Sequence, residues 1–408
     1  MKKGWQTKTL GEVCEVFADG DWVESKDQSS DGIRLIQTGN VGEGVFKDRA
    51  EKARYISEAT FKRLRCTEIV EGDCLVSRLP DPVGRSCILP DTGERMITAV
   101  DCTILRFNPK QLLPTFFNLY SQSDDYLTTV AKECTGTTRN RISRSNLGLT
   151  PIPVPPLAEQ QRIVGLLDEA FEGLATAKAN AEKNLQNARA LFESHLQSVF
   201  TQRGPGWVET TLEEVLTVQP QNGWSPPAAN HAASGTPVLT LSSVTGFVFR
   251  PDKLKYTSAK TDPKARYWIQ NGDFLITRSN TPELVGHVAI ASGIEKPTIY
   301  PDLIMRMNPK PDRALTVFLY YQLRTPVLRA EIMGRAQGAN PTMKKISNGA
   351  VKTLPIAVPS IATQQTIVET LDALSEETQR LACIYEQKLE ALESLKKSIL
   401  HEAFSGNL

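Results

Sequence analysis

The hydrophobic pattern of this chain has two regimes, which are short apolar runs and much longer stretches with helical spacing. The short runs are bounded by Gly, Pro, Asp and Asn, which predicts strands joined by turns. The predicted strands include Cys74–Val76, Cys102–Leu105, Phe274–Ile276 and Val288–Ile290. Two aromatic stretches, Thr115–Tyr120 and Leu315–Tyr321, have the spacing of helices packed on a sheet, and we interpret their rings as core residues.

Apolar residues recur at intervals of three and four over two longer stretches, Leu157–Thr201 and Ile361–Phe404. At 1.5 Å per residue each predicts a helix of about 65 Å, a length typical of coiled coils. The predicted seam of the first helix is Leu167, Ala170, Leu174, Ala177, Ala181, Asn184, Ala188, Leu191 and His195. That of the second is Leu371, Leu374, Thr378, Leu381, Tyr385, Lys388, Leu392, Leu395 and Ile399. Small residues of the first seam match larger ones of the second, so we expect the helices to pair with each other. Asn184 and Lys388 either set the register of this pair or face solvent.

The whole pattern occurs twice. Pro151–Val164 returns as Pro355–Val368, and both copies join a proline-rich strand to the start of a long helix. Gly72–Arg78 likewise returns as Gly272–Arg278. The halves therefore match along their length.

The repeat predicts an α+β protein with two tandem, pseudo-symmetric, β-rich globular domains, each followed by a long α-helix. We expect the two helices to pair as an antiparallel coiled coil. The predicted boundaries are 1–156 for the first domain, 157–203 for its helix, 204–360 for the second domain and 361–408 for the second helix.

The formal net charge of +1 conceals an uneven distribution. Residues 1–156 carry 21 basic and 21 acidic side chains, whereas residues 204–358 carry 17 basic and 11 acidic ones. The helical segments are neutral or acidic. This distribution is compatible with a polyanionic partner for the globular domains and argues against helices that lie along phosphates.

The sequence lacks the common catalytic motifs, including G-x-G-x-x-G after a strand, G-x-x-x-x-G-K-[ST], H-E-x-x-H and G-x-S-x-G. Its four His residues have no partner at a motif spacing, and we interpret them as structural. Its seven Cys residues include no C-x-x-C pair, so neither a disulfide framework nor a zinc site is indicated. No run approaches the roughly 20 apolar residues of a membrane span. We expect a soluble, cytoplasmic, non-catalytic protein without metal or cofactor.

Two polar loops rich in basic residues directly precede the repeated proline-rich stretches. Arg, Lys, Ser, Thr and Asn are the side chains that bind phosphates and base edges. In the first loop the candidate DNA-binding residues are Arg139, Asn140, Arg141 and Arg144, and in the second they are Thr342, Lys344 and Lys345. The alternative is that both are solvated surface loops. Arg78 and Arg278, each after a predicted strand, are further candidates, and the alternative for them is a structural ion pair.

Three repeated motifs together resemble the specificity subunits of type I restriction-modification enzymes. They are Trp-x-x-x-x-Leu-x-Glu-Val from Trp5 and Trp207, Gly-Asp-x-Leu-hydrophobic-Ser/Thr-Arg from Gly72 and Gly272, and Ile-x-Val-Pro-Pro/Ser-Leu/Ile-Ala-x-Gln-Gln before each helix. The resemblance covers essentially the whole chain. The second junction departs mildly from the first, with Ser360 and Thr363 in place of Pro156 and Glu159.

This resemblance implies two target recognition domains, each reading one half of a split double-stranded DNA sequence, and two helices that hold them at a fixed separation. It implies two modification subunits, which bring S-adenosylmethionine chemistry, and restriction subunits, which bring ATP-driven translocation and cleavage. None of those activities would reside in this chain. The alternative is a coiled-coil interaction scaffold whose globular domains bind protein rather than DNA.

Overall fold

The computed structural model describes residues 4–136, 140–340 and 342–408, and the chain forms two compact units. The first unit combines the chain up to Glu182 with Glu386–Leu408, and the second unit is Lys183–Tyr385. The boundaries predicted from the sequence follow the repeat, whereas the compact units divide both long helices. Each globular domain is therefore completed by a helical segment from the other half of the chain.

The first unit contains eleven strands among its described residues. They are β1 (Gln6–Thr9), β2 (Cys14–Asp19), β3 (Gln28–Ser29), β4 (Ile33–Ile36), β5 (Arg54–Ile56), β6 (Glu68–Ile69), β7 (Cys74–Ser77), β8 (Ser86–Ile88), β9 (Met96–Thr98), β10 (Cys102–Phe107) and β11 (Pro151–Val154). Its helices are α1 (Glu58–Leu64), α2 (Pro114–Tyr120), α3 (Asp124–Lys132), α4 (Arg144–Gly148) and the start of α5 (Leu157–Thr201).

The second unit contains thirteen strands among its described residues. They are β12 (Val208–Thr211), β13 (Leu216–Asn222), β14 (His231–Ala232), β15 (Thr236–Leu239), β16 (Leu254–Thr257), β17 (Trp268–Ile269), β18 (Phe274–Thr277), β19 (Ser279–Asn280), β20 (Val288–Ile290), β21 (Thr298–Ile299), β22 (Ile304–Pro309), β23 (Lys344–Lys345) and β24 (Pro355–Val358). Its helices are α6 (Thr316–Arg324), α7 (Pro326–Arg335), α8 (Asn348–Lys352) and the start of α9 (Ile361–Ser405). The strands, short helices and long helices predicted from the sequence are confirmed.

The same three sheets occur in both units, and β19 pairs with β23 in a further two-stranded ladder of the second unit. A four-stranded sheet has the order β2-β10-β7-β8 in the first unit and β13-β22-β18-β20 in the second. A five-stranded sheet has the order β3-β5-β4-β9-β6 and β14-β16-β15-β21-β17, and a two-stranded ladder pairs β1 with β11 and β12 with β24. The last ladder joins the beginning of each globular domain to the strand that leads into its long helix.

The four-stranded sheet of each unit is buried on both faces, which explains its nearly continuous apolar strands. In β7, Cys74 and Val76 belong to the core beneath the helices, whereas Leu75 belongs to the core beneath the five-stranded sheet. In β18, Phe274 and Leu275 divide in the same way. Successive side chains point to opposite faces of a strand, so a strand between two layers needs apolar residues at every position.

The two long helices pack on each other in antiparallel orientation within the first unit. Lys178 Nζ lies 2.7 Å from Glu393 Oε1, and Lys396 Nζ lies 5.2 Å from the centre of the Phe171 ring. As one helix advances from Phe171 to Lys178, the other therefore runs backwards from Lys396 to Glu393. The last turns of α9 then enter the core of this unit, where Phe404 contacts the rings of α2.

The second unit has the reciprocal arrangement. The end of α5 supplies Phe192, Leu196 and Phe200 to its core, together with Leu371 from the start of α9. Phe200 lies 5.3 Å from Phe318, centre to centre. The predicted pairing of the two helices is confirmed, and it is combined with docking of each helix end into a globular domain.

The predicted seam is wrong at four positions in the second halves of the long helices, where every second predicted residue faces solvent. Asn184, Leu191, Lys388 and Leu395 are exposed, so the two polar residues face solvent and do not set the register. The seam takes two consecutive steps of four residues at this point, because an α-helix has 3.6 rather than 3.5 residues per turn. The positions that are buried or half-buried in their place are Leu185, Phe192, Leu389 and Lys396.

The repeated Gln-Gln pair of each junction has a structural explanation in its first member. The side chain of Gln160 is fully buried, its Oε1 accepts the N–H of Leu113, and its Nε2 donates to the carbonyls of Gln111 and Pro155, all at 2.8 Å. Gln364 makes the equivalent three bonds at 2.9 to 3.0 Å in the second unit. Each amide thus fixes the loop before α2 or α6 to the start of a long helix, with its hydrogen-bonding groups satisfied.

Candidate nucleic-acid interface

Arg78 lies at the end of β7, inside the protein. Its side chain is buried, Nη2 lies 3.0 Å from Asp19 Oδ1 and donates to the Val100 carbonyl, and Nη1 lies 3.5 Å from the Ile142 carbonyl oxygen. Burial lowers the pKa of this guanidinium, and the Asp19 charge partly opposes that shift. These contacts are those of a structural ion pair, which is the alternative to a DNA-binding role for Arg78. Arg78 positions the basic loop through its contact with Ile142.

The segment beside Arg78 presents two half-exposed arginines, Arg141 at the base of a hairpin and Arg144 as the first residue of α4. Thr135 and Arg141 exchange two backbone hydrogen bonds of 2.9 Å, which close the hairpin. Arg141 Nη2 lies 3.1 Å from Asp101 Oδ1, and Arg144 Nε lies 4.0 Å from Asp19 Oδ2. The two side chains are 46% and 49% exposed.

Asn140, which precedes these arginines, is exposed as well. Arg139 lies outside the described residues. Asn140, Arg141 and Arg144 therefore form a polar, cation-rich edge on the first unit, and their side chains are accessible from solvent.

The second unit has a matching hairpin, in which Gln337 and Lys345 exchange two backbone hydrogen bonds of 2.9 and 2.8 Å. β23 pairs with β19, so that Lys345 lies opposite Ser279 and Lys344 lies opposite Asn280. The N–H of Ile346 donates to the Arg278 carbonyl at 2.9 Å, which ties this lysine strand to the arginine that follows β18. Arg278 itself is partly buried, with Nη1 3.5 Å from the Asp302 carbonyl oxygen.

The tip of this second hairpin is polar and exposed. Thr342 donates through N–H and Oγ1 to Asn340 Oδ1 at 2.9 and 2.8 Å, and Lys344 Nζ donates to the Gly338 carbonyl at 2.8 Å. Lys345 is exposed. Arg278, Thr342, Lys344 and Lys345 are thus brought to one edge of the second unit by the β19–β23 ladder.

Sequence reasoning missed the carboxylates of the first unit. Asp19 ends β2 opposite Thr103, and Asn222 ends β13 opposite Met305, so an amide occupies the equivalent position in the second unit. A glycine follows both residues, and this repeated Asp/Asn-Gly pair was the available signal. Asp101, just before β10, could not be assigned to the basic loop without the fold.

Several buried polar atoms at these edges have no aligned hydrogen-bond partner among the described residues. In the first unit they are Asp19 Oδ1, Arg78 Nε, Asp101 Oδ1 and Thr103 Oγ1, and in the second they are Arg278 Nε and Ser279 Oγ. Because buried polar groups are normally bonded, such atoms mark a polar network at the same edge of each unit. The accessible donors at both edges are those that bind phosphate and base-edge acceptors.

Two other kinds of site have no support in the described ranges. No helix there is long and apolar enough to cross a membrane. No group of three or more His, Cys, Asp or Glu side chains in the same ranges could hold a metal ion.

Comparison with known proteins agrees with the duplicated architecture. A model of the type I restriction modification DNA specificity domain matches residues 2–185 and 205–392. The chain therefore belongs to the type I restriction modification DNA specificity family. It is 25% identical over 321 residues to the type I restriction enzyme EcoKI specificity subunit of Escherichia coli strain K12, covering 75% of this chain and 68% of that relative.

Two solved structures share the fold. One is a chain from a study of complex assembly and conformational transition in the type I R-M system, with a TM-score of 0.80, 20% identity and coverage of 100% of this chain and 99% of that one. The other is the crystal structure of the HsdS subunit from Thermoanaerobacter tengcongensis, with a TM-score of 0.65, 20% identity and coverage of 100% and 98%. The likeness extends over both units and both long helices.

Proposed function

We propose that this chain is the DNA sequence-specificity subunit of a type I restriction-modification enzyme and recognises a bipartite target in double-stranded DNA. The observation that carries the proposal is the occurrence of two equivalent basic hairpins, one on each unit, with different side chains. Arg141 belongs to the first, with Arg144 three residues further on at the start of α4, and Lys344 and Lys345 belong to the second. Equivalent positions with different residues suit two half-sites of different sequence.

Each hairpin would contact its half-site through the major groove, because only there are all four base pairs distinguishable. The paired helices α5 and α9 would set the spacing between the half-sites, which must agree with the helical repeat of DNA. The chain would also recruit two modification subunits and the restriction subunits in the cytoplasm. It would have no catalytic site of its own, and methyl transfer, translocation and cleavage would reside in those partners.

The test is to co-purify the chain with its modification subunits and to map the methylated sites on random DNA. We expect one bipartite sequence. Replacement of Arg139, Arg141 and Arg144 by Ala should remove selectivity for one half-site, and replacement of Lys344 and Lys345 should affect the other.

A control variant carries Lys52→Ala and Arg54→Ala, which remove exposed cations outside the two hairpins. It should retain both half-sites. Survival of both half-sites in the hairpin variants would show that the wrong loops were chosen. DNA binding that is weak and insensitive to salt would instead favour the protein-binding scaffold, since specific DNA binding weakens steeply as salt rises.

A further inference from the structure

Arg141 in the first hairpin and Arg144 just after it lie against carboxylates of their own unit. Asp101 Oδ1 lies 3.1 Å from Arg141 Nη2, and Asp19 lies between the exposed Arg144 and the buried Arg78. A carboxylate oxygen presents the same charge and the same acceptor to a guanidinium as a DNA phosphate does. These contacts therefore occupy the arginines in the free protein with groups that a phosphate would have to displace.

The contacts are also of a kind that can be exchanged. Arg141 and Arg144 are about half exposed, and the contact of Asp101 Oδ1 with Arg141 lacks the alignment of a hydrogen bond. Attraction between such groups is mainly Coulombic and is weakened by solvent. A DNA site that offers base-edge acceptors as well as phosphates can displace the carboxylates from the arginines. At a site that offers phosphates alone, the exchange of one anion for another adds little binding free energy.

The second unit has no such arrangement among its described residues. Asn222 occupies the position of Asp19, and neither Arg278, Lys344 nor Lys345 forms an ion pair within those ranges. Residues 204–358 also carry 17 basic and 11 acidic side chains, whereas residues 1–156 are balanced. The two edges thus have matching folds and different electrostatics.

We propose that Asp19 and Asp101 are specificity-determining residues, which act as internal counter-charges. They weaken sequence-independent binding of the first unit to DNA phosphates and so raise its selectivity for its half-site. The second unit, without such counter-charges, supplies most of the sequence-independent attraction. This inference rests on the proposed function, because it concerns the same DNA-contacting edges.

The experiment measures binding of the 408-residue chain, in complex with its modification subunits, to a labelled duplex of random sequence over a range of salt. Asp101→Asn is the principal variant, because its partner Arg141 is half exposed and its loss leaves no buried charge unpaired. Asp31→Asn is the matched control, since Asp31 is an exposed carboxylate of the same unit.

We expect Asp101→Asn to steepen the slope of log K against log salt by about 1 and to tighten binding to random DNA about eightfold near 0.1 M salt, the effect of one additional phosphate contact. Adding Asp19→Asn should increase both effects. Selection from random sequence should then show a less defined first half-site and an unchanged second one. Asp31→Asn should leave the slope and both half-sites as in the wild type.

Two results would overturn the inference. One is a salt slope for Asp101→Asn equal to that of Asp31→Asn. The other is loss of the first half-site without tighter binding to random DNA. That result would indicate that the carboxylates accept hydrogen bonds from cytosine amino groups directly. Thermal unfolding identifies any misfolding of the variant with Asp19→Asn, whose buried partner Arg78 loses its counter-charge, and the Asp101→Asn result stands independently of it.

The failure of this inference differs from the failure of the proposed function. If the wild-type complex selects no DNA sequence at all, the proposed function is wrong. If it selects a bipartite sequence and the Asp variants behave like the control, only the counter-charge role is wrong.

Discussion

Replacement of Phe404 by Ala tests the reciprocal docking of the long helices most directly. Phe404 is 7% exposed, and its ring centre lies 5.3 Å from that of Phe116 and 5.1 Å from that of Tyr120. Removing a buried phenyl ring costs about 3–5 kcal/mol, since burial, dispersion and edge-to-face contacts are all lost. Because the free energy of unfolding of a native protein is typically about 5–15 kcal/mol, this cost is a large fraction of the stability of one unit.

The stability lost in Phe404→Ala should appear in the first unit. Phe404 lies in the second half of the sequence, yet it packs in the core that contains β7 and β10. Hydrogen exchange in those strands should accelerate about 1,000-fold, which corresponds to about 4 kcal/mol. Exchange in β18 and β22 of the second unit should be unchanged.

The reciprocal substitution is Phe200→Ala, which removes a ring from the core of the second unit although it lies in the first half of the chain. It should accelerate exchange in β18 and β22 and leave β7 and β10 unchanged. Leu395→Ala, at a 48% exposed position on α9, is the control and should cost less than about 1 kcal/mol. The reasoning is refuted if Phe404→Ala lowers protection in the second unit, or if each Phe substitution affects only its own half of the sequence.

Three further outcomes follow from individual side chains. Gln160→Leu should lower the free energy of unfolding in a urea titration by about 3 kcal/mol or more, because the buried N–H of Leu113 and carbonyl of Gln111 lose their hydrogen bonds. Gln161→Leu, at an exposed site, should change it by less than about 0.5 kcal/mol. Burial lowers the pKa of His287 from its ordinary 6.5 to about 4, so the unfolded chain takes up the proton at a higher pH than the folded chain does. The free energy of unfolding should therefore fall by about 3 kcal/mol as the pH drops from 6.5 to below 4. His287→Asn should lack this loss. Arg324→Met should cost about 2–3 kcal/mol, since the guanidinium lies 5.1 to 5.9 Å from four ring centres, whereas Arg380→Met on the exposed face of α9 should cost little. An equal loss in both arginine variants would rule out the aromatic contribution.

The long helices were predictable from the sequence because their signals are local. Periodicity and the proline-rich junction predict a first helix that begins and ends where α5 does, and a second that ends one residue before α9. The details of the seam were not predictable in the same way. A repeat of threes and fours can be continued in more than one register, and only packing selects Leu185 and Leu389 over Asn184 and Lys388.

The positions of the two basic segments were predictable from the sequence, whereas the surroundings of their side chains were not. The polar composition and the repeat indicate both segments, and the structure has Arg141, Lys344 and Lys345 on hairpins and Arg144 at the start of α4. Arg78 has the same local context as a surface arginine, and only the folded chain brings Asp19 against it. Whether a charged residue lies inside or outside depends on distant partners, which local patterns do not reveal.

The contribution of Glu386–Leu408 to the first unit reverses the usual order of folding during synthesis. Domains generally fold as they are made, beginning with the N-terminal one. Here the second unit is one continuous segment, Lys183–Tyr385, whereas the first unit lacks Leu400 and Phe404 until after that segment has been made. The domain translated first is thus completed last. Until the end of α9 is synthesised, the apolar surface of the first unit that Leu400 and Phe404 cover remains exposed to solvent.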